Sequence, residues 1–349
     1  METADCFEKL YKRHVERIMV GSQERNSQEY RKVLLKWLWR IATAAIITAA
    51  VFFIGDIIGE QWTIVKKGPE TIVWGRLFAG LLIFEMYWVY QVFFMRHVMS
   101  NMGSKLSILQ AFYMYFSSNL LAYIPGKVAN FIGMAALAKR IKISRTHTVT
   151  TVMLLQVYSL VSGTFLIAIF RIVSDEKIGL LIPDKWIPIL TLIAIAGITS
   201  VSPFILGPVF YALRRVTGRE IRDINLTFLD HLVHVGRFSL SWLILGTAMW
   251  FIVSSFGIYP LGAVPMMSVT VVIIAGYLMG LLAVIVPAGF GVAELGFVYG
   301  FMKLYEPAQA VWGAASFRLT ALVTTLISFL FVWSIDKYFK KNAVDTAVV

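Results

Sequence analysis

The sequence predicts an all-α polytopic membrane protein, with about six spanning helices plus two re-entrant broken hairpins in an inverted repeat. Three observations carry that expectation. Apolar residues make up 58% of the 349 and charged residues only 15%, where soluble domains carry about 25% charged residues. Several apolar runs reach the roughly 20 residues that cross a bilayer as helix. Two of these runs are interrupted by proline and glycine in a shared pattern. A β-barrel, the other architecture that satisfies its backbone in lipid, shows short alternating segments, and these runs do not alternate.

The elements follow in chain order. Residues 1–38 are a basic, partly amphipathic arm, expected in the cytosol against anionic headgroups. The arm lacks the short apolar core and small-residue cleavage site of a signal peptide. Its Cys6 is the one cysteine, so no intramolecular disulfide forms. Uninterrupted spans are expected over 39–58, 72–95, 149–172, 186–213, 238–257 and 308–333. Broken segments are expected over 105–138, interrupted at Pro125-Gly126, and over 266–302, interrupted between Pro287 and Gly291. The transmembrane domain thus covers 39–335, and 336–349 is a cytosolic tail.

Charge sets the orientation. The net charge of +12 is concentrated in a few short loops, which fits the Lys/Arg excess of cytosolic loops and argues against nucleic-acid binding. Arg96, His97 and Lys105 precede the first broken segment, and Lys139, Arg140, Lys142 and Arg145 follow it. Both of its ends therefore belong in the cytosol, which is the behaviour of a re-entrant hairpin. The loop 174–185 mixes acids and bases and is expected outside. Arg214, Arg215, Arg219, Arg222 and Arg237 mark the next cytosolic loop. The uncharged stretch 259–265 puts the second broken segment on the outer face, and Lys337, Lys340 and Lys341 return the tail to the cytosol. The expected location is the cell membrane, multi-pass, with both termini cytosolic.

An internal repeat agrees with this topology. LLAYIPGKVAN, from Leu120, and LLAVIVPAGFGVAE, from Leu281, share LLA-x-I, a Pro and Gly break, then Val-Ala and a polar residue. Val128 matches Val292 and Asn130 matches Glu294, an offset of about 164. One copy is expected over 39–173 and the other over 186–335, entering the membrane from opposite faces. Inverted copies with discontinuous helices are the build of many transporters.

The interruptions carry the candidate site. Pro125 and Pro287 end the preceding helices, and Gly126, Gly289 and Gly291 permit the turns. New helices begin near Lys127 and Val292, and their free N–H groups suit an anionic group such as a lipid phosphate. Lys127 adds a full charge to the first tip. Glu294 lies in the first turn of its helix, where a carboxylate is either a cap or a member of a polar chamber. Arg318 sits in the middle of an apolar span, and the two are expected to pair or to line one cavity near Lys127. Glu85, in LLIFEMYW, is a third intramembrane charge: a proton or cation site, or a residue satisfied in a polar pocket beside Tyr87 and Trp88. Arg76 and Arg171 lie near span ends and are expected to snorkel. His231 and His234 are weak as a metal pair and are expected on a cytosolic surface. Gly276-x-x-x-Gly280 and Gly296-x-x-x-Gly300 read as close helix packing. No phosphate-binding loop or nucleophile elbow is present.

NLLAYIPGKVAN, PAGFGVAELGF and the late Arg318 resemble the flippase-like integral membrane family that shares the transmembrane domain of lysylphosphatidylglycerol synthases. The resemblance runs roughly from the first span to the last. It implies a protein that moves lipids or lipid-linked intermediates between leaflets. It also implies that Glu294 and Arg318 match the family's second-half Glu and late Arg, and that Pro125, Gly126 and Lys127 match its first tip. The family often has Gly-Glu where this chain has Ala129-Asn130, so a symmetrical two-carboxylate mechanism is not expected. The soluble aminoacyl-transferase domain is not expected either, since only about 15 residues follow the last span.

The expected function is lipid flipping without ATP, with no cofactor and no metal. Membrane lipids, phospholipid or polyprenyl-phosphate-linked, are the expected partners, with a partner synthase or glycosyltransferase possible and no nucleic acid. Two alternatives remain open: an integral-membrane transferase acting on a lipid-linked substrate, and a scaffold subunit for such an enzyme.

Overall fold

Long apolar runs free of proline become helices, because lipid offers no partner to an open N–H or C=O. The computed structural model describes residues 71–121, 127–173, 176–200, 226–256, 264–282 and 291–345. Helix α1 spans Trp74–Asn101, α2 Ile108–Leu121, α3 Lys127–Arg140 and α4 Arg145–Val173. A short α5, Glu176–Leu181, and a 3-10 turn, Asp184–Trp186, lead into α6, Ile187–Ser200. Then come α7, Phe228–Ser254; α8, Met266–Leu282; α9, Val292–Phe301; and α10, Pro307–Asp345. No sheet forms among the described residues; one isolated bridge pairs Ile72 with Phe256.

Among the described residues, four helices are long and apolar enough to cross a membrane: Trp74–Asn101, Arg145–Val173, Phe228–Ser254 and Gln309–Ile335 within α10. They correspond to the expected spans at 72–95, 149–172, 238–257 and 308–333. The two broken segments take the form of helix pairs, α2 with α3 and α8 with α9. Their interruptions at 122–126 and 283–290 lie outside the described residues, as do the arm, the first span at 39–58 and residues 201–213 of the fourth.

Helix α7 starts well before the expected position 238. Thr227 and Asp230 form a capping box: the Asp230 N–H donates to Thr227 Oγ1 at 3.2 Å, and the Thr227 N–H donates to Asp230 Oδ2 at 2.8 Å. The polar residues that suggest a surface loop turn inward instead. His231 and His234 are 1% and 0% exposed, so the expectation of a cytosolic surface for them is wrong.

Helices α1 and α7 run antiparallel. At one end the Val73 N–H donates to the Ser255 carbonyl at 2.9 Å, and at the other Asn101 lies against His234. Helix α2 folds back along α1, with Arg96 Nε donating to the Leu106 carbonyl at 2.8 Å and Tyr115 against Trp88. Helix α8 folds back along α7 in the same way, with Trp250 Nε1 donating to the Val264 carbonyl at 2.9 Å and Tyr277 against Trp242. Helix α2 also meets α10, through Phe112 and Phe331, as α8 meets α4, through Ile274 beside Gly163.

Between helices in lipid, attraction comes from close packing and hydrogen bonds more than from the hydrophobic effect. Trp242, Tyr158, Phe84, Phe297 and Phe301 fill the core where α1, α4, α7, α9 and α10 meet. Gly80 lets α1 approach α7 closely: a Cβ there would come within 2.8 Å of the Ala248 carbonyl oxygen. Hydroxyls inside the spans are satisfied one turn back, as in Ser162 to the Tyr158 carbonyl and Ser328 to the Thr324 carbonyl, both at 2.6 Å. Arg76 donates to the Ser254 carbonyl at 3.0 Å and Arg171 to the Ile182 carbonyl at 2.9 Å. Both guanidinium groups thus sit at helix C-terminal ends, where exposed carbonyls favour a cation.

Candidate functional site

The site is built from the start of α9 outward. Gly291 occupies the N-cap with φ 85, a conformation L side chains rarely adopt. Three residues on, Glu294 turns its carboxylate back, and Oε2 accepts the Gly291 N–H at 2.6 Å. This satisfies one orphan donor and places negative charge at the positive end of the helix dipole. The other oxygen, Oε1, forms an ion pair with the Arg318 guanidinium of α10.

Helix α9 is held where that pair can form. Gly276 and Gly296 leave no room for a Cβ between α8 and α9. Phe297 lies against Phe317 with ring centroids 4.6 Å apart, so α9 and α10 are locked beside the pair. The side chains of Arg318 and Glu294 keep 17% and 13% exposure, so the pair is largely enclosed yet reachable. An ionised group at mid-span costs about 2.5–3.5 kcal/mol on insertion scales, and pairing offsets part of that cost. Of the two roles open to Glu294, the geometry supplies both: it caps α9 and it pairs.

Glu85 belongs to a neighbouring feature. Its Oε1 accepts the Thr324 hydroxyl of α10 at 2.7 Å, across the seam between α1 and α10. Thr324 follows Arg318 on α10 at a distance of roughly 9 Å along the axis. Glu85 is exposed and Thr324 is buried. A run of ring contacts links the two broken segments: Phe297 to Phe317, Phe317 to Phe84 at 6.1 Å, Phe84 to Trp88 at 6.0 Å and Trp88 to Tyr115 at 6.0 Å. Beside it, Trp88 Nε1 and Ser117 Oγ are buried with no hydrogen-bond partner among the described residues.

The remaining site residues are placed only in part. Lys127 and Asn130 lie in the first turn of α3, with side chains outside what is described. Pro125, Gly126, Pro287 and Gly289 lie outside the described residues. Thr324, Ser117 and Phe317 are not singled out by sequence reasoning, and Trp88 enters it only as a neighbour of Glu85. Hydroxyls and aromatic rings are common in spans, and only their partners distinguish them. Among the described residues, no group of three or more His, Cys, Asp and Glu is placed to hold a metal.

Several long apolar helices and a largely enclosed charge pair describe a multi-pass integral membrane protein. Comparison with curated proteins returns no match. Residues 28–328 match the family model of the lysylphosphatidylglycerol synthase TM region, which takes in every helix from α1 to α9 and both partners of the ion pair. The chain belongs to that family.

Proposed function

We propose that the protein is a lipid flippase that works without ATP, moving an anionic or lipid-linked headgroup between leaflets. The observation that carries this reading is the Glu294–Arg318 pair, set between α9 and α10 beside an interrupted helix pair. Ionised groups inside spans are rare and mark substrate or ion pathways. The antiparallel course of α1 and α7, with α2 meeting α10 as α8 meets α4, supports an inverted repeat. The folding back of α2 and α8, each followed by its short partner, supports re-entrant hairpins. Transporters of that build bind substrate near the midplane, between discontinuous helices.

In the resting protein Glu294 neutralises Arg318. An incoming phosphate takes the place of Glu294 Oε1 and forms a charge-assisted pair with the guanidinium. Glu294 keeps its hold on the Gly291 N–H and meets an amine or carries a coupling proton. Lys127 and the amide-rich start of α3 complete the anion site from the other hairpin. With Asn130 in the place corresponding to Glu294, the first tip contributes no second carboxylate. Glu85, held by Thr324, lies on the seam through which a headgroup or proton enters. The acyl chains stay in the bilayer while the hairpins rock. Both termini lie in the cytosol, and covalent chemistry on the lipid belongs to a partner synthase or glycosyltransferase.

The test is lipid scrambling in reconstituted liposomes, across a panel of headgroup-labelled phospholipids and polyprenyl-phosphate lipids. The expected result is movement well above protein-free vesicles for at least one lipid, lost in Arg318→Ala. Rates equal to protein-free vesicles for the whole panel would overturn the reading.

A further inference from the structure

A second polar cluster lies at the other end of α1, remote in the chain from the ion pair. His97 and Asn101 of α1 face His234 of α7. Asn101 Nδ2 lies 3.3 Å from His97 Nε2 and 3.4 Å from His234 Nε2. An amide nitrogen only donates, so both ring nitrogens accept. Both imidazoles are then neutral, with their hydrogen on Nδ1. For His234 this leaves a buried Nδ1–H with no acceptor among the described residues. The two rings meet edge to face, centroids 5.5 Å apart at 79°.

The charges around the pair do not favour a second cation. On α7, Asp230 and Arg237 both act on His97 and His234, one of each sign. His231, one turn away, is engaged by the Tyr158 hydroxyl of α4 at 2.7 Å, and Tyr158 also packs on His234. From α4, His147 is bonded to Ser104 at 2.6 Å. On α1, Arg96 is turned to the Leu106 carbonyl and Tyr90 donates to the Arg237 carbonyl. Lys105 follows α1 on the surface. Helix α4 contains no carboxylate, and the one on α1, Glu85, is more than three turns from His97.

We propose that His97, Asn101 and His234 form a proton-binding clasp that joins the facing ends of α1 and α7 while neutral and lets them part when protonated. Protonating either ring sets an N–H against the Asn101 donor. Turning the amide over offers one oxygen to two imidazolium rings but leaves two cations 5.5 Å apart. The first outcome breaks the shared bond and the second sets two like charges on one oxygen, at one end of the most extensive contact among the described helices. The clasp is a property of the α1–α7 pair and does not depend on lipid movement.

The test uses the full chain in bilayers, with Cys6→Ser, Ser100→Cys and Val233→Cys, both introduced sites being exposed. Nitroxide labels report the α1–α7 end by dipolar broadening, read from about pH 8 to about pH 5. The expected result is a reversible loss of broadening at acid pH, absent in the same protein carrying His97→Gln and His234→Gln. Should the buried His234→Gln prevent folding, His97→Gln alone, at the more accessible ring, must blunt the loss. Broadening that does not change with pH, or a loss that persists unchanged in the Gln variants, overturns the clasp.

Discussion

Glu294 spends its two oxygens on different partners, and that division sets what its variants do. Glu294→Ala leaves Arg318 facing an enclosed space without its counter-charge and is expected to cost about 2–3 kcal/mol, below fully buried pairs because some exposure remains. Thermal unfolding in detergent measures it. Replacing both residues with leucine should recover much of that stability while lipid movement stays lost, which separates folding from function. Thr324→Val removes the hydroxyl that holds Glu85 and is expected to cost about 1 kcal/mol. The pair is legible in the sequence because Glu294 and Arg318 are charges inside apolar runs. Thr324 and Phe317 are not, since nothing in the chain says which hydroxyl or ring lies against which helix. His231 and His234 mislead for a related reason: beside Asp230 and Arg237 they read as surface, whereas Tyr158 and Asn101 wait for them across the bundle.

Among the helices, the start of α7 and its contact with α1 are the points of leverage. Thr227→Ala removes half of the capping box and is expected to cost about 1 kcal/mol. Gly80→Ala drives a methyl group into the Ala248 carbonyl and is expected to cost about 1–3 kcal/mol, read as a lowered midpoint in the same unfolding assay. Hydropathy places α8 and α10 within one residue of their observed starts, and α4 four residues late because Arg145, Thr146, His147 and Thr148 are polar. It places α7 poorly, since a cap made by Thr227 and Asp230 is only two polar residues to a hydropathy scan. Gly276, Gly296 and Gly300 are read correctly, because close packing needs small residues at helical spacing.

For the whole molecule, the expected topology makes an all-or-none prediction. In a Cys6→Ser background, an impermeant thiol reagent added to intact cells should label Lys303→Cys, and should label Lys142→Cys only after permeabilisation. If α2–α3 crosses the membrane instead of returning, both accessibilities invert; if only α8–α9 crosses, that of Lys303→Cys alone inverts. The proposed repeat rests, in the sequence, on one pair of matching motifs, LLAYIPGKVAN and LLAVIVPAGFGVAE. The cross-contacts between halves are not visible there, because they join residues such as Phe112 and Phe331 that nothing in either copy relates. The ion pair described above has a further electrical consequence. Glu294 and Arg318 together carry no net charge, so a transmembrane voltage exerts almost no net force on them while they touch. Separating them creates a monopole on each side, each then worth up to about 2.3 kcal/mol per 100 mV if carried across the full field. The pair itself is therefore nearly silent to voltage while the two ions touch, and any step that parts them would register the membrane potential.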